Sequence, residues 1–216
     1  MSQPRVKICC ISSLSEARLA IAHGAAALGL VGPMPSGPGV IDDALIQRIA
    51  ADVPAGIDTF LLTSETHPQA IMDHHARTRT TTIQLVDALP AGAHQRLRAA
   101  LPGVQLVQVI HVINEESVAE ALSLADAVDA LLLDSGNPML AVKELGGTGR
   151  THDWRLSRRI VEQSPVPVFL AGGLNPANVR QAIDTVQPYG LDLCSGVRTN
   201  GKLDQEKLAA FFRAIQ

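Results

Sequence analysis

With 216 residues, 46% of them hydrophobic and 18% charged, the chain can build one sizeable core and lacks the composition of a disordered segment. A formal net charge of −3 and 3% aromatics exclude the basic field and the stacking platform that nucleic-acid binding needs. Three cysteines are no disulfide scaffold in a chain this long and fit a reducing cytoplasm. Met1 to Arg5 lead straight into an apolar run carrying Lys7, with no secretory pattern, and no run approaches the ~18 apolar residues of a membrane span. The expected protein is cytoplasmic, with neither nucleic acid nor membrane as partner.

In chain order, short apolar runs alternate with segments of helical period. Val6 to Ile11 reads as a buried strand, and Ser13 with Glu16 as a capping box opening a helix that ends at Gly24. Ala26 to Val31 is the second strand, followed by a Pro/Gly loop and a helix capped by Asp42 or Asp43 and running through Ile49. Gly56 to Leu62 is the third, with Pro68 in the first turn of its helix. Thr81 to Val86 precedes a helix across Gln95 to Ala100, and Val104 to Val112 precedes one capped by Asn114. Val128 to Asp134 leads through a long loop into a helix around Trp154 to Gln163. Pro167 to Ala171 is followed by Asn175 and Pro176 as cap and first helical residue, and Gly190 to Ser195 by Asp204 capping a helix to Ile215. Nearly continuous apolar strands joined by helices predict a parallel sheet covered by helices. Eight such units predict a single α/β domain over residues 1–216, a compact (β/α)8 TIM barrel, with an open doubly wound sheet as the other arrangement.

In a barrel the chemistry belongs at the C-terminal ends of the strands. Three glycine-bearing segments fall there: Gly146-Gly147-Thr148-Gly149, Ala171-Gly172-Gly173 and Cys194-Ser195-Gly196-Val197. Glycines let a phosphate reach backbone N–H groups, which points to Gly172, Gly173, Ser195 and Gly196 as a phosphate cradle. Asp134 ends the apolar run Ala130-Leu131-Leu132-Leu133. A carboxyl beside apolar surface has its pKa raised and can act as a general acid. Cys9 ends the first strand and can serve as base or nucleophile, or as a small buried hydrophobe. Alternation along a strand turns Cys10 toward the helices and puts Lys7 on the face of Cys9. His74 and His75 read as solvated, His111 as core, and Cys10 and Cys194 as packing. No His or Cys pair has ligand spacing, so no metal is expected.

These residues resemble the phosphoribosylanthranilate isomerase family of tryptophan biosynthesis. Val6-Lys7-Ile8-Cys9 is similar to its opening motif, and Gly24-Ala25 with Ala27-Leu28-Gly29 to its second. Leu132-Leu133-Asp134, followed by Gly146-Gly147-Thr148-Gly149 and Asp153-Trp154, is similar to its third. Leu170-Ala171-Gly172-Gly173-Leu174-Asn175-Pro176 and Asp192 to Val197 resemble the last two. The resemblance implies an aldose-to-ketose isomerase without cofactor or metal, acting on a small phosphorylated sugar, as monomer or homodimer. It implies Cys9 as general base and Asp134 as general acid. Lys7, Gln84, Gly147, Arg150 and Arg198 are further substrate-binding candidates.

The chain departs from the family after strand two, where Pro38 stands in place of an arginine that holds the anthranilate carboxylate. Two readings follow. Either Arg198 or Arg150 supplies a cation from another loop, or the aglycone differs and the chain is a divergent phosphosugar isomerase or a non-catalytic binding barrel.

Overall fold

In the computed structural model, which describes residues 3–216, eight parallel strands close into a barrel in sequence order. The strands are β1 (Arg5–Ile8), β2 (Ala27–Val31), β3 (Asp58–Thr63), β4 (Thr82–Leu85), β5 (Gln105–His111), β6 (Ala130–Asp134), β7 (Val168–Leu170) and β8 (Gly190–Leu193). The helices are α1 (Leu14–Ala22), α2 (Asp43–Asp52), α3 (Pro68–Thr78), α4 (Ala93–Ala100), α5 (Glu116–Ala125), α6 (Trp154–Gln163), α7 (Val179–Val186) and α8 (Gln205–Ala214). A 3-10 turn (Ser195–Val197) and a small hairpin, β9 (Arg198–Thr199) with β10 (Lys202–Leu203), intervene before α8. Each βα unit of the sequence reading is present, and β8 pairs with β1 to close the ring.

The apolar runs are buried on both faces because they separate two cores. Leu106, Ile110, Leu131 and Leu133 point outward into the layer beneath the helices. Their neighbours Val107, Val109, Ala130 and Leu132 point inward with Phe60 and Phe169. That is the period-2 alternation of a pleated strand with no solvent face.

The helix ends show which local signals held. Pro68 opens α3, Asp153 caps α6, and Asp204 caps α8 through Glu206 and Lys207 N–H groups. Asp42, not Asp43, caps α2, which continues three residues past Ile49 to Asp52. The capping box is only half formed: Ser13 Oγ accepts from Glu16 N–H at 3.2 Å, but the Glu16 carboxylate turns to the Ser12 N–H at 3.0 Å. Asn175 and Pro176 do not begin α7; Asn175 Oδ1 accepts from Ala177 N–H in a turn, and the helix starts at Val179. His74 is not solvated. It is buried, bonded to Thr63 Oγ1 at 3.0 Å and facing Asp43 at 3.1 Å, so it ties α3 to β3 and α2.

One half-buried histidine makes acid stability a measurable property. His152 contacts Ser157 Oγ at 2.6 Å ahead of α6, and burial pushes its pKa down from 6.5 to about 4. The folded state therefore binds this proton less readily than the unfolded chain. The stabilisation is present above about pH 6.5 and lost as pH falls toward 4. At pH 5 the loss amounts to about 2 kcal/mol. Urea unfolding at pH 7 and pH 5 is expected to show a destabilisation that shrinks by about that amount in His152→Gln.

Candidate active site

At the C-terminal end of the barrel a cavity of about 700 Å³, counting its open mouth, is lined by residues from seven of the eight strand ends. Cys9 follows β1, its N–H bonded to the Leu193 carbonyl of β8 at 2.7 Å. Its sulfur lies over β2: a Cβ at Gly29 would come within 2.7 Å of it. Gly29 is thus a working part of the site that the sequence reading treated only as motif. The available signal was a glycine interrupting an apolar strand.

Cys10 does not turn toward the helices. Its backbone is left-handed, with φ 61°, which breaks the strand's alternation and brings it to the cavity wall beside Cys9. Cys194, after β8, also lines the wall, with its sulfur 2.7 Å from that of Cys10. Both were expected to be packing.

Asp134 ends β6 on the same cavity, 8% exposed. Burial pushes its carboxyl above the ordinary range, while the Ser135 N–H at 2.7 Å and His111 pull it back in part. A Cβ at Gly146 would lie 2.8 Å from Asp134 Oδ2, so this glycine keeps space open above the acid.

Beneath the cavity Lys7 is fully buried, ion-paired to Asp192 at 2.8 Å and 5.1 Å from the Phe60 ring centre. Burial works against its ammonium, but Asp192 and Cys9 outweigh it and hold the Lys7 pKa above the ordinary lysine value. Gln84 lines the wall with a buried Oε1 that has no partner among the described residues.

The glycine loops meet at one edge. Gly172 and Gly173 adopt φ of 85° and 62°. The chain at Arg150 packs so closely that a Cβ on Gly173 would come within 2.7 Å of the Arg150 carbonyl carbon. Both glycines and Ser195 line the cavity. Gly196 sits behind them, pressed against the Leu174 carbonyl. Gly147 also lines the cavity, under Pro38 of the loop after β2. Ser36 of that loop bonds to the Lys143 carbonyl at 2.5 Å, roofing part of the mouth.

Neither candidate arginine reaches the cavity. Arg198 is buried behind it, bonded to Glu16 at 2.9 Å and to the Cys9 and Cys10 carbonyls at 3.1 and 2.6 Å. Its guanidinium is spent on holding the β1 loop. Arg150 pairs with Glu144 at the surface. Among the described residues no lysine or arginine lines the cavity; the wall beside Cys9 is Val31, Met34, Leu62, Val86 and Leu145.

A closed barrel with a thiol, a buried carboxyl and a glycine-lined edge on one cavity has the parts of an enzyme that moves protons on a small anionic substrate. The comparisons narrow the class. The family model for N-(5'-phosphoribosyl)anthranilate isomerase matches residues 6–214, and the chain belongs to that family. It is 35% identical to the N-(5'-phosphoribosyl)anthranilate isomerase of Microcystis aeruginosa, over 98% of this chain and 97% of that one. Among solved structures, the Thermotoga maritima isomerase superposes with a TM-score of 0.84 at 30% identity, covering 98% of each chain. A phosphoribosyl anthranilate isomerase in complex with reduced 1-(o-carboxyphenylamino)-1-deoxyribulose 5-phosphate gives 0.81 at 27%, again over 98% of each. A third structure, of monomers generated from the dimeric Thermotoga maritima isomerase, gives 0.79 at 26%, over 98% of each.

Proposed function

We propose that the chain converts N-(5-phosphoribosyl)anthranilate to 1-(2-carboxyphenylamino)-1-deoxyribulose 5-phosphate, the isomerase step of tryptophan biosynthesis, with Asp134 as general acid and Cys9 as general base. The observation that carries this reading is the pairing of a carboxyl whose pKa burial raises with a thiol on the same cavity, three strands apart around the barrel.

Asp134 gives its proton to the ribose ring oxygen as the C1–O bond breaks, and the amine nitrogen's lone pair forms the iminium. The Cys9 thiolate then removes the C2 proton, and the C2–H electrons neutralise the iminium as an enolamine. Tautomerisation of the enolamine yields the ketose. The Lys7 ammonium, coupled electrostatically to Cys9, supplies positive charge on the thiol's side. Two groups with opposed protonation states are what an internal proton shift requires.

On this reading the phosphate lies at Gly172, Gly173 and Ser195, with Gly196 shaping the loop behind. Ser195→Ala keeps the backbone N–H and removes one charge-assisted hydrogen bond, from the hydroxyl to that phosphate. It is expected to raise KM roughly ten- to hundredfold with kcat little changed, and steady-state kinetics checks it. The aryl ring stacks against the apolar wall, and its carboxylate meets neutral donors and solvent in place of a guanidinium. No helix is long and apolar enough to cross a membrane among the described residues. A cytoplasmic monomer or homodimer completes the reading, supported by three free cysteines and by the dimeric Thermotoga maritima relative.

Expression in a tryptophan auxotroph lacking this isomerase is expected to restore growth without tryptophan. Folded protein that fails to rescue, and that leaves N-(5-phosphoribosyl)anthranilate unconsumed in vitro, would overturn the assignment.

A further inference from the structure

We propose that Cys10 and Cys194 are a modification site: they close to a reversible disulfide across the β1–β8 seam of the cavity wall, with a hydroperoxide as oxidant, and closure switches the site off. The two residues follow adjacent paired strands, β1 and β8, with Ile8 opposite Leu193, so that Cys10 stands one position past the residue opposite Cys194. The left-handed backbone at Cys10 aims its side chain at Cys194, and the sulfurs stand 2.7 Å apart as free thiols. Arg198 clamps the Cys9 and Cys10 carbonyls, so the pair is held rather than met by chance.

Cys9 is the wrong partner for either. Its sulfur lies against Gly29 of β2, and although Cys9 and Cys10 are within side-chain hydrogen-bonding reach, a bond between them would close a strained ring across one peptide. The cavity gives a small oxidant access to both sulfurs. Cys194 is the one to react first: the Cys10 hydrogen bond, and after it the Arg198 and Lys7 charges, hold its thiol below the ordinary pKa, while Cys10 is held above it.

The chemistry balances as two steps. The Cys194 thiolate attacks the peroxide O–O bond, giving a sulfenic acid and hydroxide. Cys10 sulfur then attacks the sulfenic sulfur, the S–S bond forms, and water leaves. Overall two thiols lose two electrons and two protons, and one hydrogen peroxide becomes two waters. The bond draws Cys194 toward β1 and shifts Ser195 with it. It also locks Cys10 beside Cys9, and sub-ångström displacement of positioned groups is felt in rate.

The test treats reduced protein with stoichiometric hydrogen peroxide, alkylates it, and counts thiols and linked peptides by mass spectrometry. Wild type is expected to fall from three free thiols to one and to show a peptide pair joining the Cys10 and Cys194 segments. The link persists in Cys9→Ser and is absent from Cys10→Ser. Isomerase activity falls at least tenfold and returns with dithiothreitol. Cys10→Ser and Cys194→Ser, each compared with its own reduced form, lose less than twofold. A link that survives in Cys10→Ser, oxidation confined to Cys9, or equal inactivation of Cys10→Ser would overturn the proposal. The mass readout needs no turnover, so it fails or succeeds independently of the acid–base assignment, and wild-type thiol counting stands even if a variant does not fold.

Discussion

Asp134→Asn is expected to lower kcat by roughly 10³-fold, within the range a positioned general acid contributes, while the thermal midpoint stays near wild type. Asparagine keeps the shape and the hydrogen-bonding capacity of the side chain but has no proton to give to the ring oxygen. Stability is spared because the wild-type carboxyl is already disfavoured as an anion: burial raises its pKa, and its only strong partner is the adjacent Ser135 N–H. The pH profile separates this role from a structural one. With the acid raised above its ordinary value, wild-type kcat holds while Asp134 is protonated and falls as pH rises through that value, and the limb vanishes in Asp134→Asn. Cys9→Ala is expected to cost a similar factor. The double variant is expected to be little slower than either single, because acid and base serve one proton shift and their losses do not add. Wild-type turnover within twofold in either variant would sink the assignment.

Lys7→Met is expected to destabilise the fold by about 3–5 kcal/mol, the cost of stranding the partner of a buried ion pair. Asp192 would be left as an unpaired carboxylate, 7% exposed, at the base of the cavity wall. Its Oδ1 already lacks a partner, so nothing else replaces the ammonium. Lys7→Met with Asp192→Leu removes both charges and is expected to recover most of the loss in urea unfolding. Because the Lys7 pKa is raised, the pair's stabilisation is full below the ordinary lysine value and fades only as pH rises through the folded one. A double variant as unstable as Lys7→Met alone would mean that packing, and not charge, holds this layer.

The barrel was legible in the sequence because its strands have no solvent face: runs such as Ala130 to Leu133, repeated between helical segments, read as sheet between two cores. Asp134 was legible for the same reason, as a charge ending an apolar run. What was not legible depended on distant parts of the chain. Arg198 reads as a free cation until Glu16, 182 positions earlier, is found against it. Cys10 reads as outward until one left-handed φ reverses its direction. Gly29 and Gly146 matter for the room they leave, and that shows only when the thiol and the acid are beside them. The start of α7 was missed because the turn at Asn175 uses the same residues as a helix cap.

The Lys7–Asp192 pair joins the first strand to the last, 185 positions apart. During synthesis, a nascent chain still short of Asp192 carries a lysine with no counter-ion at the floor of its barrel. β1 therefore lacks its ion-pair partner until β8 has left the ribosome. Translation order and ring closure are coupled through one ammonium group, and a fragment truncated before β8 would carry that uncompensated charge in place of a finished barrel floor.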